Sequence, residues 1–335
     1  MNRVNVKPAP LSPGIDRRRF LLAAPLALLG ATRSLAAKSA PRPPRFVLEW
    51  GRKGKGDGEF DSPITLAIDR KDRLYVTDFK NQRVQRFGSD GTFLGAFPVP
   101  YAQPGGIAVE RDGARIYVAH WNQNKVAVYS PAGELLREWG QKGVGDGEFQ
   151  LPGGMAWAKD GSLLVADQGN SRIQRFTPEG KFLAKWGEHG PGLGEFGEGR
   201  GVGSRFAGPQ FLAVDRDGNV YATEVTQSRV QKFSAGGKPL LAFGNGTKEP
   251  GGFAGGREDI FGPIGLCVDR QGHVWVSATN HRVQQWDRDG RFRQSLGEEG
   301  HVPGQFHYPH GLVVDSRNHL YVVDAQNARI QKFAL

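Results

Sequence analysis

Pro63-Ile-Thr-Leu-Ala-Ile-Asp69, Leu74-Tyr-Val76, Arg83-Val-Gln-Arg-Phe87 and Phe93-Leu-Gly-Ala-Phe97 are four short apolar runs that follow one another, with turn residues between them. Apolar and polar residues alternate along the runs, which is the period of a β-strand with one buried face. Short turns between period-two runs are typical of antiparallel β-hairpins. The stretch therefore predicts one sheet of four consecutive antiparallel strands.

The first run of this stretch recurs along the chain. Its copies begin at Pro63, Pro104, Pro152, Pro209, Pro263 and Pro309, which lie 41, 48, 57, 54 and 46 residues apart. Each copy is followed by a second and a third apolar run at similar offsets. A four-stranded unit repeated at this spacing predicts the blades of a β-propeller.

The fourth strand of the last unit is missing where it is expected, because the chain ends at Leu335 just after the sixth third strand. The segment Arg45-Phe-Val-Leu-Glu-Trp-Gly51 matches the pattern of a fourth strand. Pairing it with the last unit would close the ring and remove an exposed sheet edge. We therefore predict an all-β fold, a single six-bladed propeller of four-stranded antiparallel blades, closed by an N-terminal strand.

A polar motif, Asp-x-x-Asn-x-Arg, joins the second and third strands of several blades. It occurs at Asp78, Asn81 and Arg83, at Asp167, Asn170 and Arg172, and at Asp324, Asn327 and Arg329. Together with the strand pattern it resembles the NHL repeat of six-bladed propellers, over residues 45–335. The resemblance implies the fold but not an activity, since such scaffolds host many unrelated functions.

The N-terminal region has the layout of an export signal. Arg17-Arg18-Arg19 precede the apolar stretch Phe20–Ala31, and small residues follow at Ser34-Leu-Ala-Ala37. The arginine pair resembles a twin-arginine signal. The predicted organisation is an export signal over 1–37, a Pro-rich linker over 38–44 and the propeller over 45–335, with a periplasmic or extracellular location.

Charge and length narrow the function classes. The formal net charge is +10, but residues 1–44 hold eight basic residues and one acid, so the body carries about +3. A body with so little positive charge argues against a nucleic-acid partner. The apolar stretch near the N-terminus is too short to span a bilayer as a helix, so no transmembrane segment is expected in the mature protein. The lone cysteine, Cys267, is expected in the core.

Two rings of residues are expected at one mouth of the central channel. One ring holds the residues just after each blade proline. The other holds the ends of the second strands, namely Asp78, His120, Asp167, Glu224, Ala278 and Asp324. Asp78, His120, Asp167, Glu224 and Asp324 are therefore candidate binding residues. The regular Asp-to-Arg spacing is also typical of an ion pair inside each blade, and both interpretations stay open.

Histidines are the candidates for chemistry. His310 follows Pro309 and is expected across from Asp324, with His120 facing it over the channel. Catalytic candidates are therefore His310, His120 and Asp324, and His310 is the candidate metal ligand, for zinc or calcium. The repeat is similar to that of peptidyl-hydroxyglycine amidating lyases, which implies zinc held by histidines after the blade prolines. Among those positions His310 alone matches; the others are Ile64, Gly105, Gly153, Gln210 and Ile264.

Long connections between blades complete the expected binding face. They share a Gly-x-Phe pattern, in which the Phe is expected to anchor the loop, and they carry the candidate binding residues Arg200 and Arg205. Loops on a rigid scaffold are the usual place for recognition. The sequence therefore predicts a binding scaffold for a protein, peptide or small ligand at the loop face and channel mouth. The alternative is a metal-assisted lyase or hydrolase related to the amidating lyase.

Overall fold

The computed structural model describes residues 42–197, 207–254 and 262–335, and these form six four-stranded antiparallel sheets and one short two-stranded parallel sheet in the connection between blades three and four. In blade order, starting with the strand that closes the ring, the strands are β1 (Arg45–Trp50); β2 (Pro63–Ile68), β3 (Leu74–Asp78), β4 (Arg83–Phe87), β5 (Phe93–Pro98); β6 (Pro104–Val109), β7 (Ile116–His120), β8 (Lys125–Tyr129), β9 (Leu135–Trp139); β10 (Pro152–Trp157), β11 (Leu163–Asp167), β12 (Arg172–Phe176), β13 (Phe182–Trp186); β14 (Glu188–Gly190), β15 (Glu195–Gly197); β16 (Pro209–Val214), β17 (Val220–Glu224), β18 (Arg229–Phe233), β19 (Pro239–Phe243); β20 (Pro263–Val268), β21 (Val274–Ala278), β22 (Arg282–Trp286), β23 (Phe292–Leu296); β24 (Pro309–Val314), β25 (His319–Asp324) and β26 (Arg329–Ala334).

The sheets are arranged as the blades of a propeller. The first strands of successive blades contact one another around the channel, and β24 of the sixth blade returns to contact β2 of the first. Strand β1 pairs antiparallel with β26, so the sixth sheet has the order β1-β26-β25-β24. The predicted closure by an N-terminal strand is thereby confirmed, and with it the all-β six-bladed fold.

Burial falls from the centre of the ring to its rim. Second strands such as β3 and β11 are buried at every residue, while the fourth strand β13 is half-buried at its two ends and exposed between them. A strand buried on both faces needs a continuous apolar run, which is what Leu163-Leu-Val-Ala166 supplies. Apolar clusters lie between neighbouring blades, including one that joins Phe87 of blade one to Tyr321 and Ile330 of blade six.

The loop phenylalanines act as the predicted anchors. Phe60, Phe149, Phe196 and Phe306 are fully buried, and each stacks at an angle on the last aromatic residue of the adjoining third strand. Cys267 is buried as expected, at 7% exposure. Within the described ranges the one helical segment is the three-residue 3₁₀ turn Gln168–Asn170, and no helix there could cross a membrane.

The closing strand offers a direct test of the ring. The ring centroid of Trp50 on β1 lies 5.8 Å from that of Phe87 and 6.2 Å from that of Tyr321. The ring centroid of Trp139 on β9 lies 5.9 Å from that of Phe176 and 6.2 Å from that of Tyr117. Because the two half-buried indoles have matching surroundings, we expect Trp50→Ala and Trp139→Ala each to lower the free energy of unfolding by about 2–4 kcal/mol.

Urea denaturation of the full chain measures both values. Trp139 serves as the matched control, since its strand belongs to a blade made of consecutive strands. A Trp50→Ala loss within about 1 kcal/mol of the Trp139→Ala loss means that the borrowed strand is held as firmly as a local one, while a negligible loss would contradict closure by β1.

Candidate functional site

A cavity of about 200 Å³ opens at one mouth of the channel, and the residues after the blade prolines line it as predicted. They are Ile64, Gly105, Gly153, Gln210, Ile264 and His310. Side-chain hydroxyls on second strands fix this ring to the next blade: Thr77 Oγ1 donates to the Gly105 carbonyl at 3.1 Å, and Thr223 Oγ1 to that of Ile264 at 2.6 Å. The mouth is therefore built by backbone held rigidly between blades.

Glycine lets the inner strands approach closely just below this ring. A Cβ on Gly106 would lie 2.1 Å from the Gly153 carbonyl oxygen, and one on Gly265 would lie 2.1 Å from the His310 carbonyl oxygen. Side chains are excluded at these positions by contact with backbone. The Pro-x-Gly pattern of these blades thus reflects the narrowness of the channel.

The wall of the cavity is mainly apolar and aromatic. The residues that follow the second strands contribute Phe79, Trp121 and Val225, and Tyr308 comes from the connection before blade six. Phe79 and Trp121 meet edge to face at 6.5 Å, and the indole Nε1 of Trp121 donates to Gln168 Oε1 at 3.2 Å. Phe79 and Trp121 each lie one residue beyond the strand end at which the sequence placed the predicted ring, so that prediction missed them.

Phe211 separates the mouth from the rest of the channel. It lines both the mouth cavity and a second cavity of about 300 Å³, which is bordered by the middle and far ends of the first strands. At the equivalent position blades two, three, five and six have glycine. One large side chain from blade four therefore fills the space that four glycines leave open.

His310 lies in the mouth, but its surroundings differ from the prediction. The register pairs Pro309, not His310, with Asp324, because the strand pairing is irregular between Pro309 and Leu312. The Nδ1 atom of His310 is buried with no hydrogen-bond partner among the described residues. Burial lowers the pKa of His310 to about 4, so the ring is neutral at pH 7.

The carboxylates at the strand ends lie inside the blades instead of lining the mouth. Asp78, Asp167, Glu224 and Asp324 are fully buried, and each accepts a hydrogen bond from the Nε atom of its arginine, at 2.7–2.9 Å. The interpretation as ion pairs inside the blades is the one the structure confirms. Burial raises the pKa of Asp78, Asp167 and Glu224 even so, because desolvation outweighs the hydrogen bonds and the arginine charge.

Each of these carboxylates also holds the preceding connection. Oδ1 of Asp78 accepts from the Asp61 backbone N–H at 2.8 Å, and its Oδ2 accepts from Asn81 and Gln85. The guanidinium of Arg83 donates in turn to carbonyls of the loop, including Glu59 O at 2.7 Å. The same contacts recur around Asp167 and Asp324.

His120 does not face His310 across the channel. It is fully buried in blade two, where its Nε2 shares a hydrogen bond with the Tyr129 hydroxyl at 3.0 Å and its ring meets Tyr101 edge to face at 5.0 Å. Lys125 pairs with Glu138 of the outer strand. Of the remaining candidates, Arg200 and Arg205 lie outside the described residues.

Among the described residues, the mouth does not supply the ligands of a catalytic zinc. Such a site takes three protein ligands, which are imidazole nitrogen, carboxylate oxygen or thiolate sulfur. Of the six residues after the blade prolines, one is a histidine, one is a glutamine and four are aliphatic or glycine. The buried carboxylates nearby are saturated by the hydrogen bonds described above.

Comparison with known proteins supports the repeat. A family model for the NHL repeat matches residues 60–87 and 306–333, so the chain contains NHL repeats. Peptidyl-glycine alpha-amidating monooxygenase A of Xenopus laevis is 37% identical over 134 residues, which cover 37% of this chain and 14% of the relative. A probable peptidyl-alpha-hydroxyglycine alpha-amidating lyase of Caenorhabditis elegans is 26% identical over 134 residues, 38% of this chain and 37% of the relative.

Solved structures agree on the fold. Virginiamycin B lyase from Staphylococcus aureus superimposes with a TM-score of 0.58 at 14% identity, covering 86% of this chain and 98% of that one. At that identity the likeness extends to the propeller alone.

Buried His120 predicts a specific acid sensitivity. Desolvation lowers its pKa to about 4, below the ordinary value near 6.5. As pH falls from 6.5 to 4 the unfolded chain binds a proton here that the folded chain does not, so stability is lost in that window, by up to about 3 kcal/mol.

Urea denaturation at pH 7, 6, 5 and 4 measures this loss. His120→Gln removes the titrating group. The difference in free energy of unfolding between the unaltered chain and this variant should therefore shrink by up to about 3 kcal/mol between pH 6.5 and 4. Parallel pH profiles for the two proteins would show that His120 is not buried in its neutral form.

Proposed function

We propose that this protein is an exported binding propeller that takes up an apolar group of a peptide or small ligand in the channel mouth. The observation that carries the proposal is the apolar, aromatic cavity of about 200 Å³ lined by the post-proline ring. Concave apolar sites with a few placed polar groups are the usual form of ligand pockets. A cavity of this size suits one side chain rather than a large molecule.

His310 gives the cavity a point of orientation. Its Nδ1 has no hydrogen-bond partner among the described residues, and a buried polar atom left unpaired is costly. A ligand that offers a polar hydrogen or a carbonyl beside its apolar group would satisfy that atom. Because the ring is neutral at pH 7, either tautomer is available for this contact.

The scaffold around the cavity suits recognition because it is already rigid. Ring backbone is tied to the neighbouring blades, and the connections are held by the buried carboxylates of the blades. Binding in such a site costs little ordering of the protein, which leaves more of the contact energy for affinity.

A second candidate, a lyase or hydrolase, is favoured by the similarity to the amidating enzymes. In that reading His310 would contact the substrate in the mouth. The absence of a fitting ligand set around His310 in the described residues counts against a zinc held there in the manner that the amidating lyases imply.

Gly105 allows a test of the binding site with little disturbance. A Cβ at Gly105 has its nearest contact at 3.6 Å, and blades one and five carry isoleucine at the same position, Ile64 and Ile264. Gly105→Ile should therefore fold normally and fill the mouth. We expect it to weaken binding at least tenfold, measured by calorimetry with a peptide selected on the full chain from a displayed library.

Leu94→Ala on the exposed face of β5 is the control and should bind as the unaltered chain does. Equal affinity of Gly105→Ile would place the binding site elsewhere.

Incubation with a peptide ending in α-hydroxyglycine, followed by mass spectrometry, separates the two candidates: cleavage that is lost in His310→Gln favours the lyase, and an intact peptide favours the binder.

Export is part of the proposal and rests on the signal-like N-terminal sequence. In a bacterium with an intact twin-arginine pathway, we expect the chain in the periplasmic fraction with its new N-terminus near Ala36 or Ala37. Replacing Arg17 and Arg18 together by lysine should retain the precursor in the cytoplasm, while Arg19→Lys should not. Unimpaired export of the double variant would exclude this route.

A further inference from the structure

A second cluster of histidines lies outside the channel, at the junction of blades five and six. His281 lies in the turn between β21 and β22, Glu299 begins the connection to blade six, and His307 lies two residues before β24. One ligand atom from each lies within 4.8 Å of the other two. None of the three takes part in the channel mouth.

We propose that His281, Glu299 and His307 form a binding site for a divalent transition-metal cation, for which Zn²⁺ is the best fit. Two imidazoles and one carboxylate are three ligands that Zn²⁺ accepts, with a fourth position left to water. Imidazole also suits Ni²⁺ and Cu²⁺, whereas Ca²⁺ and Mg²⁺ require oxygen ligands.

The distances allow closure around an ion. Ligand atoms at about 2.0–2.1 Å from a tetrahedral Zn²⁺ lie roughly 3.3 Å from each other. His281 Nε2 and Glu299 Oε1 are 4.0 Å apart, and the rings of His281 and His307 are 5.5 Å apart between centroids. The Glu299 side chain is 71% exposed while His281 is 7% exposed. Glu299 is thus free to move by the ångström that is needed, against a fixed histidine.

The other blades show that the scaffold does not require these residues. At the junction of blades two and three the corresponding positions hold Asn124, Lys142 and Gln150. At the closing junction of blades six and one they hold Ala328, Lys53 and Asp61. Both of those junctions place a lysine where blades five and six have Glu299, and a cation would be repelled there. The repeat thus acts as an internal control for the cluster.

The backbone of the turn aims His281 at the cluster. Its φ is +62°, in the left-handed region, as is that of Asn124 at +55°. Nδ1 of His281 accepts from the Tyr308 backbone N–H at 3.4 Å, just as Asn124 Oδ1 accepts from Leu151 at 2.9 Å. This leaves Nε2 directed at Glu299. A cation on Nε2 moves the ring proton to Nδ1 and breaks that contact, which is long and therefore weak.

Charge at the junction also favours a cation. Burial lowers the pKa of His281, because desolvation disfavours the charged ring. Glu299 supplies one negative charge, and a bound cation would be partly neutralised by it. The exposed side of Glu299 leaves a direction open to water.

His301 lies beside the cluster. Its ring centroid is 5.7 Å from that of His307, and its Nδ1 is 2.6 Å from Asn327 Oδ1. The amide of Asn327 is oriented by two donations from its Nδ2, so its Oδ1 can only accept and His301 Nδ1 carries the proton. In a neutral ring this leaves Nε2 as the nitrogen without a proton. The hydrogen bond that fixes the tautomer is of the kind that orients histidine ligands of metals.

Variants copied from the other junction test the site without disturbing the turn. His281→Asn reproduces Asn124 and keeps an acceptor for the Tyr308 N–H, and His307→Gln reproduces Gln150. The metal-stripped full chain is titrated with ZnCl₂ by calorimetry. We expect the unaltered chain to bind one Zn²⁺. In either variant the dissociation constant for Zn²⁺ should be at least tenfold higher. Glu298→Gln, at the exposed neighbour of Glu299, and His310→Gln in the channel mouth are the controls, and both should bind as the unaltered chain does.

Cobalt substitution gives an independent readout. Co²⁺ bound by imidazole nitrogen and carboxylate oxygen in a tetrahedral site gives intense visible absorption, which should be present in the unaltered chain and lost in His281→Asn, with circular dichroism unchanged. Failure to bind Zn²⁺ stoichiometrically would overturn the proposal. So would stoichiometric binding that survives both histidine variants or that disappears in His310→Gln. Ligand binding in the mouth is tested separately, by the Gly105→Ile variant.

Discussion

In four blades, one buried carboxylate accepts hydrogen bonds from the third strand and from the preceding connection at the same time. The arginine paired with it donates onward to loop carbonyls. Removing either partner would leave a buried charge unpaired, which typically costs 3–5 kcal/mol. The interaction fixes the connections as much as the blade, and the shape of the channel mouth depends on it because Tyr308, which lines the mouth, comes from one of those connections.

Blades two and five lack this interaction, and each replaces it differently. In blade two the charge pair moves outward to Lys125 and Glu138, with the Tyr101 hydroxyl donating to Glu138 at 2.9 Å. In blade five Ala278 removes the acid, and the turn to β22 is one residue shorter. Arg282 still opens the third strand of that blade, but it lies opposite Ala278 and not opposite a carboxylate. Each of the two blades without the ion pair has a histidine near the vacant position. These histidines are His120 in blade two and His281 in blade five.

Much of the fold follows from the sequence, because each blade repeats the same period-two runs and the missing fourth strand could be found by counting. The candidate site was predicted less completely from the sequence than the fold was. The pairing of the first and second strands is irregular just after each blade proline, so the residues that face each other change there. The alternation of apolar and polar residues does not reveal this change of register. The expected ring of carboxylates therefore lies inside the blades, and Phe79 and Trp121 take its place. The cluster of His281, Glu299 and His307 combines three separate segments, whose meeting depends on how blades five and six pack.

One residue belongs to both sites. Tyr308 lines the channel mouth, its ring meets His281 edge to face at 4.8 Å, and its backbone N–H donates to His281 Nδ1. A cation that moves the proton of His281 onto Nδ1 would turn this attraction into a repulsion between two donors and shift Tyr308. A ligand that packs on Tyr308 would oppose the shift. Since coupling between two sites is reciprocal, the cation and the ligand would then alter each other's affinity by the same factor. That coupling would make the junction of blades five and six a control point for the mouth.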